Sequence, residues 1–217
     1  MQGILKVKEL GHPNPRVCEN HRLTGHHYPG ENRDFLANRS RIDPMPANIE
    51  IKARARTFDD LRRRAEGLSD TPAQVIPQED TFFYTTKGRL KLRQLAPDVG
   101  QLVYYERTDA SGPKRSDYIL AETSEPSALK AALTAALGVR GVIRKRRTLY
   151  LVGQTRVHLD EVEGLGEFME LEVVMRPEQS DLEGQSIARD LMARLGVLEE
   201  DLLEGAYMDM LEGRERK

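Results

Sequence analysis

Four stretches of this chain alternate polar and apolar residues with a period of two. They are Asn48-Ile49-Glu50-Ile51-Lys52-Ala53-Arg54, Arg89-Leu90-Lys91-Leu92-Arg93, Arg156-Val157-His158-Leu159-Asp160 and Met169-Glu170-Leu171-Glu172-Val173. Period two is the repeat of a strand with two unlike faces, and here the polar face is almost wholly charged. Further strand-like runs lie at 81–85, 102–107, 116–122 and 142–152, and the quoted runs extend to 89–94, 155–162 and 167–175. Turns at 96–100, 111–113 and 164–166 separate several of them. Helices are expected from Thr57 to about Gly67, from Ser124 or Ser127 to near Gly138, from about Ser180 to Leu195 ahead of Gly196, and over about Glu199–Met210. The fold class is α+β, mainly antiparallel β: about eight strands flanked by helices.

If such a sheet closes into a barrel whose apolar faces pack outward on helices, its charged faces point inward. A lumen lined by Lys, Arg, Asp and Glu is costly unless it holds a charged guest. Glu170 and Glu172 share a strand face, Glu50 lies on a second and Asp160 on a third. Converging carboxylates suit Mg²⁺ or Mn²⁺, which prefer oxygen donors. Lys52, Arg54, Arg89, Lys91, Arg93, Arg107, Lys114, Lys145, Arg147 and Arg156 supply cations for phosphate oxygens. Alternation splits the basic run 142–147 into Arg144 and Arg146 on one face and Lys145 and Arg147 on the other, and the second pair is taken as inward. His158 shares parity with Arg156 and Asp160 and reads as a hydrogen-bonded structural histidine.

Composition narrows the partners. The 217 residues carry 33 Lys plus Arg against 35 Asp plus Glu, a net charge of -2, which argues against a general nucleic-acid surface. One cysteine, Cys18, permits no internal disulfide and fits a reducing cytoplasm. No apolar run approaches the roughly 20 residues needed to span a bilayer, so no membrane partner is expected. Residues 1–44 differ from the rest: they are Pro-punctuated, lack apolar periodicity and hold His12, His21, His26 and His27 in a spacing that matches no closed metal site. They are expected to be a disordered leader, or an upstream over-extension of a protein starting at Met45, ahead of one domain over 45–213.

From Asn48 to about Leu211 the chain resembles the CYTH domain, the superfamily of class IV adenylate cyclases and thiamine triphosphatases, also called triphosphate tunnel metalloenzymes. The family's opening ExExK strand is similar to Asn48-Ile49-Glu50-Ile51-Lys52. Its Asp, Gly-containing turn and FxExE strand are similar to Asp160, Gly164-Leu165-Gly166 and Phe168-Met169-Glu170-Leu171-Glu172. Its basic strands are similar to Leu90-Lys91-Leu92-Arg93, Lys114 and Arg144–Arg147, and its closing segment to 205–211. The resemblance implies an eight-stranded antiparallel tunnel barrel. It implies Glu50, Asp160, Glu170 and Glu172 as ligands for Mg²⁺ or Mn²⁺, and Lys52, Lys91, Arg93, Arg107, Lys114, Lys145 and Arg147 as the clamp on a nucleoside, thiamine or inorganic triphosphate. Lys52 and Glu170 are the implied catalytic residues, in a monomer or homodimer. Two positions depart from the pattern. Asn48 replaces the first Glu and contributes no charge to a metal, and Arg107 stands where a Lys is common. A cyclase, a triphosphatase and a polyphosphate-binding module without turnover all remain open.

Overall fold

The computed structural model describes residues 45–215; the expectations for 1–44, the four histidines included, lie outside them. Eight strands form a closed antiparallel barrel: β1 (Ala47–Arg54), β2 (Gln74–Phe83), β3 (Arg89–Ala96), β4 (Val99–Arg107), β5 (Lys114–Thr123), β6 (Val139–Val152), β7 (Thr155–Val162) and β8 (Gly166–Val174). Their order around the wall is β1-β5-β4-β3-β2-β6-β7-β8. β1 therefore closes the barrel, pairing with β8 from Asn48 to Arg54 and with β5 only from Ala47 to Glu50. Beyond Glu50 the chain's later residues take over that edge: Leu202 bridges to Ala53, and the Leu203 N–H donates to the Lys52 carbonyl at 2.9 Å.

The alternation decides where the core sits. Ile49, Ile51 and Ala53 of β1, Val157 and Leu159 of β7 and Met169, Leu171 and Val173 of β8 are all buried on the outer face. There they meet Phe58, Leu61 and Ala65 of helix α1 (Phe58–Leu68) and Ala188, Leu191, Met192 and Leu195 of α3 (Asp181–Leu195). The main core is thus a shell between barrel and helices. A second cluster, with Phe82, Ile143, Phe168, Tyr207 and Met208, closes one end of the barrel beneath α4 (Tyr207–Glu215). Helix α2 (Pro126–Leu137) packs more loosely on the β2–β4 side, with only Pro126 buried.

Local signals explain the helix bounds. Ser180 and Glu183 form a reciprocal capping box at the start of α3, and Gly196 ends it at φ 75°, a left-handed conformation that glycine adopts without strain. Gly184, inside α3, has another use: a Cβ there would lie 2.6 Å from Ile49 Cγ1 and 2.5 Å from Met175 Sδ. The missing side chain lets the helix settle onto β1.

Two expectations are revised. β2 begins at Gln74 rather than at 81, although Pro77 falls inside it. Its ladder with β3 runs only from Glu79 onward, so Pro77 sits where one side of the strand has no ladder to interrupt. The expected helix over 199–210 is a 3₁₀ turn (Glu199–Asp201), an extended link and then α4. The link is pulled straight by its backbone pairing with β1, and Gly205 turns it at φ 73° before the Asp209 carboxylate accepts from the Ala206 N–H at 2.7 Å and starts the new helix. Among the described residues no helix is long and apolar enough to cross a membrane.

Gly184→Val is expected to lower stability by about 1–3 kcal/mol, because the added side chain overpacks the α3–β1 contact. Denaturant unfolding checks this, and an unchanged midpoint would mean that α3 has room to move.

Candidate functional site

The lumen holds the other half of the alternation. Asn48, Glu50 and Lys52 project from β1, Asp80 and Phe82 from β2, Lys91 and Arg93 from β3, and Val103, Tyr105 and Arg107 from β4. Ser116, Tyr118 and Leu120 come from β5, Lys145 and Arg147 from β6, Arg156 from β7, Glu170 and Glu172 from β8, and Tyr207 from α4. Arg144 and Arg146 face outward and are exposed, whereas Lys145 and Arg147 are buried.

Seven of these lining side chains are Lys or Arg and four are carboxylates; Asp160, buried directly behind Lys145 and Arg147, is a fifth, which leaves a surplus of two positive charges. They are organised in three clusters. In the first, Asp80 accepts from Lys91 Nζ at 2.9 Å and from Arg93 Nε at 2.9 Å. Burial works against its charge, but Arg93 and Lys91 outweigh it and hold the carboxyl well below the usual range. In the second, Asp160 accepts from Arg147 at 2.6 and 2.7 Å, from Lys145 Nζ at 2.9 Å and from the Tyr207 hydroxyl at 3.0 Å. Burial again opposes ionisation there and is overcome, by Arg147 and Lys145. Each carboxylate fixes the rotamers of two cations, so these cationic groups are held in place before any ligand arrives.

The third cluster spans β1, β8 and β7, where Glu50 is the register partner of Glu172, and Lys52 and His158 flank Glu170. Glu170 is ion-paired with Lys52 and Arg147. The Lys52 ammonium also lies 3.4 Å from the centre of the Tyr207 ring, and burial lowers its pKa to about 8 despite Glu170. Glu172 accepts from Arg156 Nε at 2.9 Å, and Glu50 accepts from Arg107 Nη1 at 2.8 Å. Burial first and the neighbouring Glu172 second push the Glu50 pKa up. A divalent cation would relieve that crowding. Glu170, Glu172 and His158 each offer a ligand atom, all within 4.8 Å of one another, so the residues fit a hard or borderline divalent ion.

The positions proposed from the sequence fall into distinct surroundings. Glu50, Glu170, Glu172, Lys52, Lys91, Arg93, Arg107, Lys145 and Arg147 all line the lumen. Asp160 is fully buried beside it and is hydrogen-bonded to Lys145, Arg147 and Tyr207. Lys114 donates instead to the Ala110 carbonyl at 2.6 Å and the Leu203 carbonyl at 3.4 Å, near the end covered by α4. Asn48, in the orientation that satisfies both ends of its amide, accepts from Arg156 Nη2 at 3.1 Å and donates to the Ala47 carbonyl at 3.2 Å. Asp80 and Tyr207 were missed as lumen residues. Asp80 was lost with the start of β2, and its parity with Phe82 is the signal that would have found it. Tyr207 sits in the 205–211 segment already noted, but nothing in the sequence aims its hydroxyl at Asp160.

Comparison with known proteins agrees with this geometry. The CYTH domain family model matches residues 46–207. The adenylate cyclase CyaB of Aeromonas hydrophila is 34% identical over 84 residues, which are 38% of this chain and 44% of that protein; the match spans less than half of the curated relative. A solved structure from Pyrococcus horikoshii OT3 shares 28% identity with a TM-score of 0.66, covering 75% of this chain and 98% of that one. A putative adenylate cyclase from Vibrio parahaemolyticus (16% identity, TM-score 0.65, 78% of this chain and 99% of that one) has the same fold. So does a putative adenylyl cyclase from Hippeastrum with a dominant triphosphatase activity (15% identity, TM-score 0.52, 70% and 89%). With the family model matching most of its length and a closed eight-stranded barrel around a charged lumen, the chain belongs to the CYTH domain family.

Proposed function

We propose that this protein is a metal-dependent enzyme acting on a triphosphate bound inside the barrel, in the manner of a class IV adenylate cyclase that converts ATP to cyclic AMP and pyrophosphate. The observation that carries the proposal is the surplus of cations in and around a buried lumen, seven Lys and Arg against five carboxylates once Asp160 is counted with the lining residues. A buried charge surplus is costly by itself and is offset by a polyanionic guest. The likeness to the Aeromonas cyclase supports the choice of reaction.

Lys91, Arg93, Lys145 and Arg147 would grip the phosphates, the arginines as planar forks and the lysines as point charges. Val103, Tyr118 and Leu120 give the same lumen an apolar stretch suited to the organic part of a substrate. Glu50, Glu170 and Glu172 would hold the divalent ion, Mg²⁺ or Mn²⁺, with Asp160 behind them. When bound, that ion supplies charge neutralisation and polarisation of phosphoryl oxygens. Lys52, poised near neutral pH between Glu170 and Tyr207, is placed to stabilise developing charge, and with Glu170 it is the pair assigned to catalysis.

The second reading is hydrolysis of an inorganic or thiamine triphosphate. It is favoured by the closed end, where α4 and Tyr207 would stop a terminal phosphate beside Lys52, Arg147 and Glu170. The likeness to the Hippeastrum protein is one of fold alone. A binding module without turnover is favoured by Asn48, whose amide is occupied by Arg156 and adds no negative charge.

Phosphorus NMR of products from ATP, thiamine triphosphate and tripolyphosphate, each with Mg²⁺ or Mn²⁺, separates the three. Cyclic AMP with pyrophosphate is the expected outcome, orthophosphate would establish the hydrolase, and ligand-induced stabilisation without product would leave a binder. Glu170→Gln is expected to lower turnover by about 100-fold or more while the circular dichroism spectrum is kept; full activity would remove Glu170 from the site.

Triphosphate affinity should also fall as pH rises through 8. Burial and the adjacent Arg93 lower the Lys91 pKa to about 8 in the free protein, so above that value the anion must bring a proton with it and binding weakens. Calorimetry between about pH 6.5 and 9.5 reads the effect. Lys91→Arg, which keeps its charge, should remove part of the loss, and Lys91→Ala should weaken binding by about 1.5–3 kcal/mol at neutral pH.

A further inference from the structure

His158 does not have the surroundings of a structural histidine. It lies on β7 opposite Glu170 and is only 4% exposed. Its Nδ1 atom is buried and makes no hydrogen bond among the described residues. Buried polar atoms are almost always paired, and one that is not calls for an explanation. The atom lies 3.6 Å from Glu172 Oε1, beyond hydrogen-bond reach. Glu172 spends its other oxygen, Oε2, on Arg156. A nitrogen and a carboxylate oxygen thus lie side by side, and Glu170, whose two oxygens pair with Lys52 and Arg147, completes a set within 4.8 Å. An ion about 2.1 Å from each of two donors can bridge a gap of this size.

We propose that His158 Nδ1 is a ligand of the divalent ion held by Glu170 and Glu172, so that this site is a mixed nitrogen–oxygen one that prefers Mn²⁺, Co²⁺ or Zn²⁺ to Mg²⁺. The inference rests on the metal site of the preceding section and names its selectivity. Mg²⁺ demands hard oxygen donors, whereas imidazole suits borderline transition ions. The first strand points the same way. Position 48 carries no carboxylate, and Asn48 and Glu172 share Arg156 between them, so less anionic oxygen is free for a hard ion than an acidic residue there would give. A neutral nitrogen donor compensates in number of ligands but not in charge.

The test uses the full chain, stripped of metal by chelation and then loaded with Mn²⁺ or titrated with Co²⁺ or Mg²⁺. Pulsed electron paramagnetic resonance of the Mn²⁺ protein is expected to show a directly coordinated ¹⁴N, and Co²⁺ to bind more tightly than Mg²⁺. His158→Gln should abolish the nitrogen coupling and weaken Co²⁺ binding by about tenfold or more, with Mg²⁺ affinity changed by less than about twofold. His158→Asn serves as the second variant, and metal-free melting of both shows that the fold is kept. Three results would overturn the proposal: bound Mn²⁺ with oxygen ligands only, nitrogen coupling that survives in His158→Gln and so comes from another histidine, or equal losses of Co²⁺ and Mg²⁺. Glu170→Gln separates the two levels. Mn²⁺ that is sensitive to Glu170→Gln but shows no nitrogen overturns the ligand alone, while wild-type protein that binds no Mn²⁺ overturns the metal site as well.

Discussion

Everything in this barrel depends on keeping charge buried without leaving it unbalanced. A barrel interior filled with Leu and Val would be cheaper to fold. Here the interior carries Lys, Arg, Asp and Glu, and the apolar core is displaced to the outside of β1, β7 and β8 beneath α1 and α3. The helices are therefore more than decoration on a self-sufficient sheet. They supply the hydrophobic burial that the lumen cannot, and they allow the inner faces of the strands to be given over to polar chemistry.

The internal carboxylates have two kinds of work. Asp80 and Asp160 each bind two cations and are held ionised by them; they act as built-in counter-ions that fix Lys91, Arg93, Lys145 and Arg147. Losing either would leave buried cations uncompensated, the costly case for a buried ion pair. Glu50, Glu170 and Glu172 also pair with cations, but they lie together on adjacent strands, and Glu50 is pushed toward its neutral form. Glu170 and Glu172 stay ionised despite their burial because Lys52, Arg147, His158 and Arg156 surround them, and Glu50, with burial as the first cause and Glu172 as the second, is the one that a further cation would relieve. The two arrangements sit around one cavity, so clamped cations and clustered carboxylates share its walls.

Much of this was legible because strand parity is strict. Once β1, β3, β7 and β8 were placed, the shared face of Glu50, Lys91 and Glu170 followed from alternation, and the antiparallel fold from the spacing of turns; in β6 alternation only separated Lys145 and Arg147 from Arg144 and Arg146, and it is their burial that settles which pair points inward. What escaped has physical causes. Pro77 hid the first half of β2, and with it Asp80, because a proline in a strand is admissible only where a ladder is missing and the sequence does not show ladders. The unpairing of residues 202–206 from helix was set by a tertiary contact, Leu203 to Lys52, that competes with local helix preference. The partnership of Asn48 with Arg156 joins positions far apart in the sequence, and the open Nδ1 of His158 is defined by what does not touch it. Neither has a signature in spacing.

The way β1 closes the barrel has a consequence for synthesis. Among the described residues, β1 finds its backbone partners in β5, β8 and the Leu202–Leu203 link. A nascent chain on the ribosome therefore holds β1, with Glu50 and Lys52 on one face and bare isoleucines on the other, until β5 offers Asp117 to Ala47, and its seam with β8, where Asn48 meets Val174, can form only later still. Closure is a late, long-range event of the slow kind expected for non-local strand pairing, and in the interval the exposed β1 edge is the part of the molecule most in need of protection from other chains.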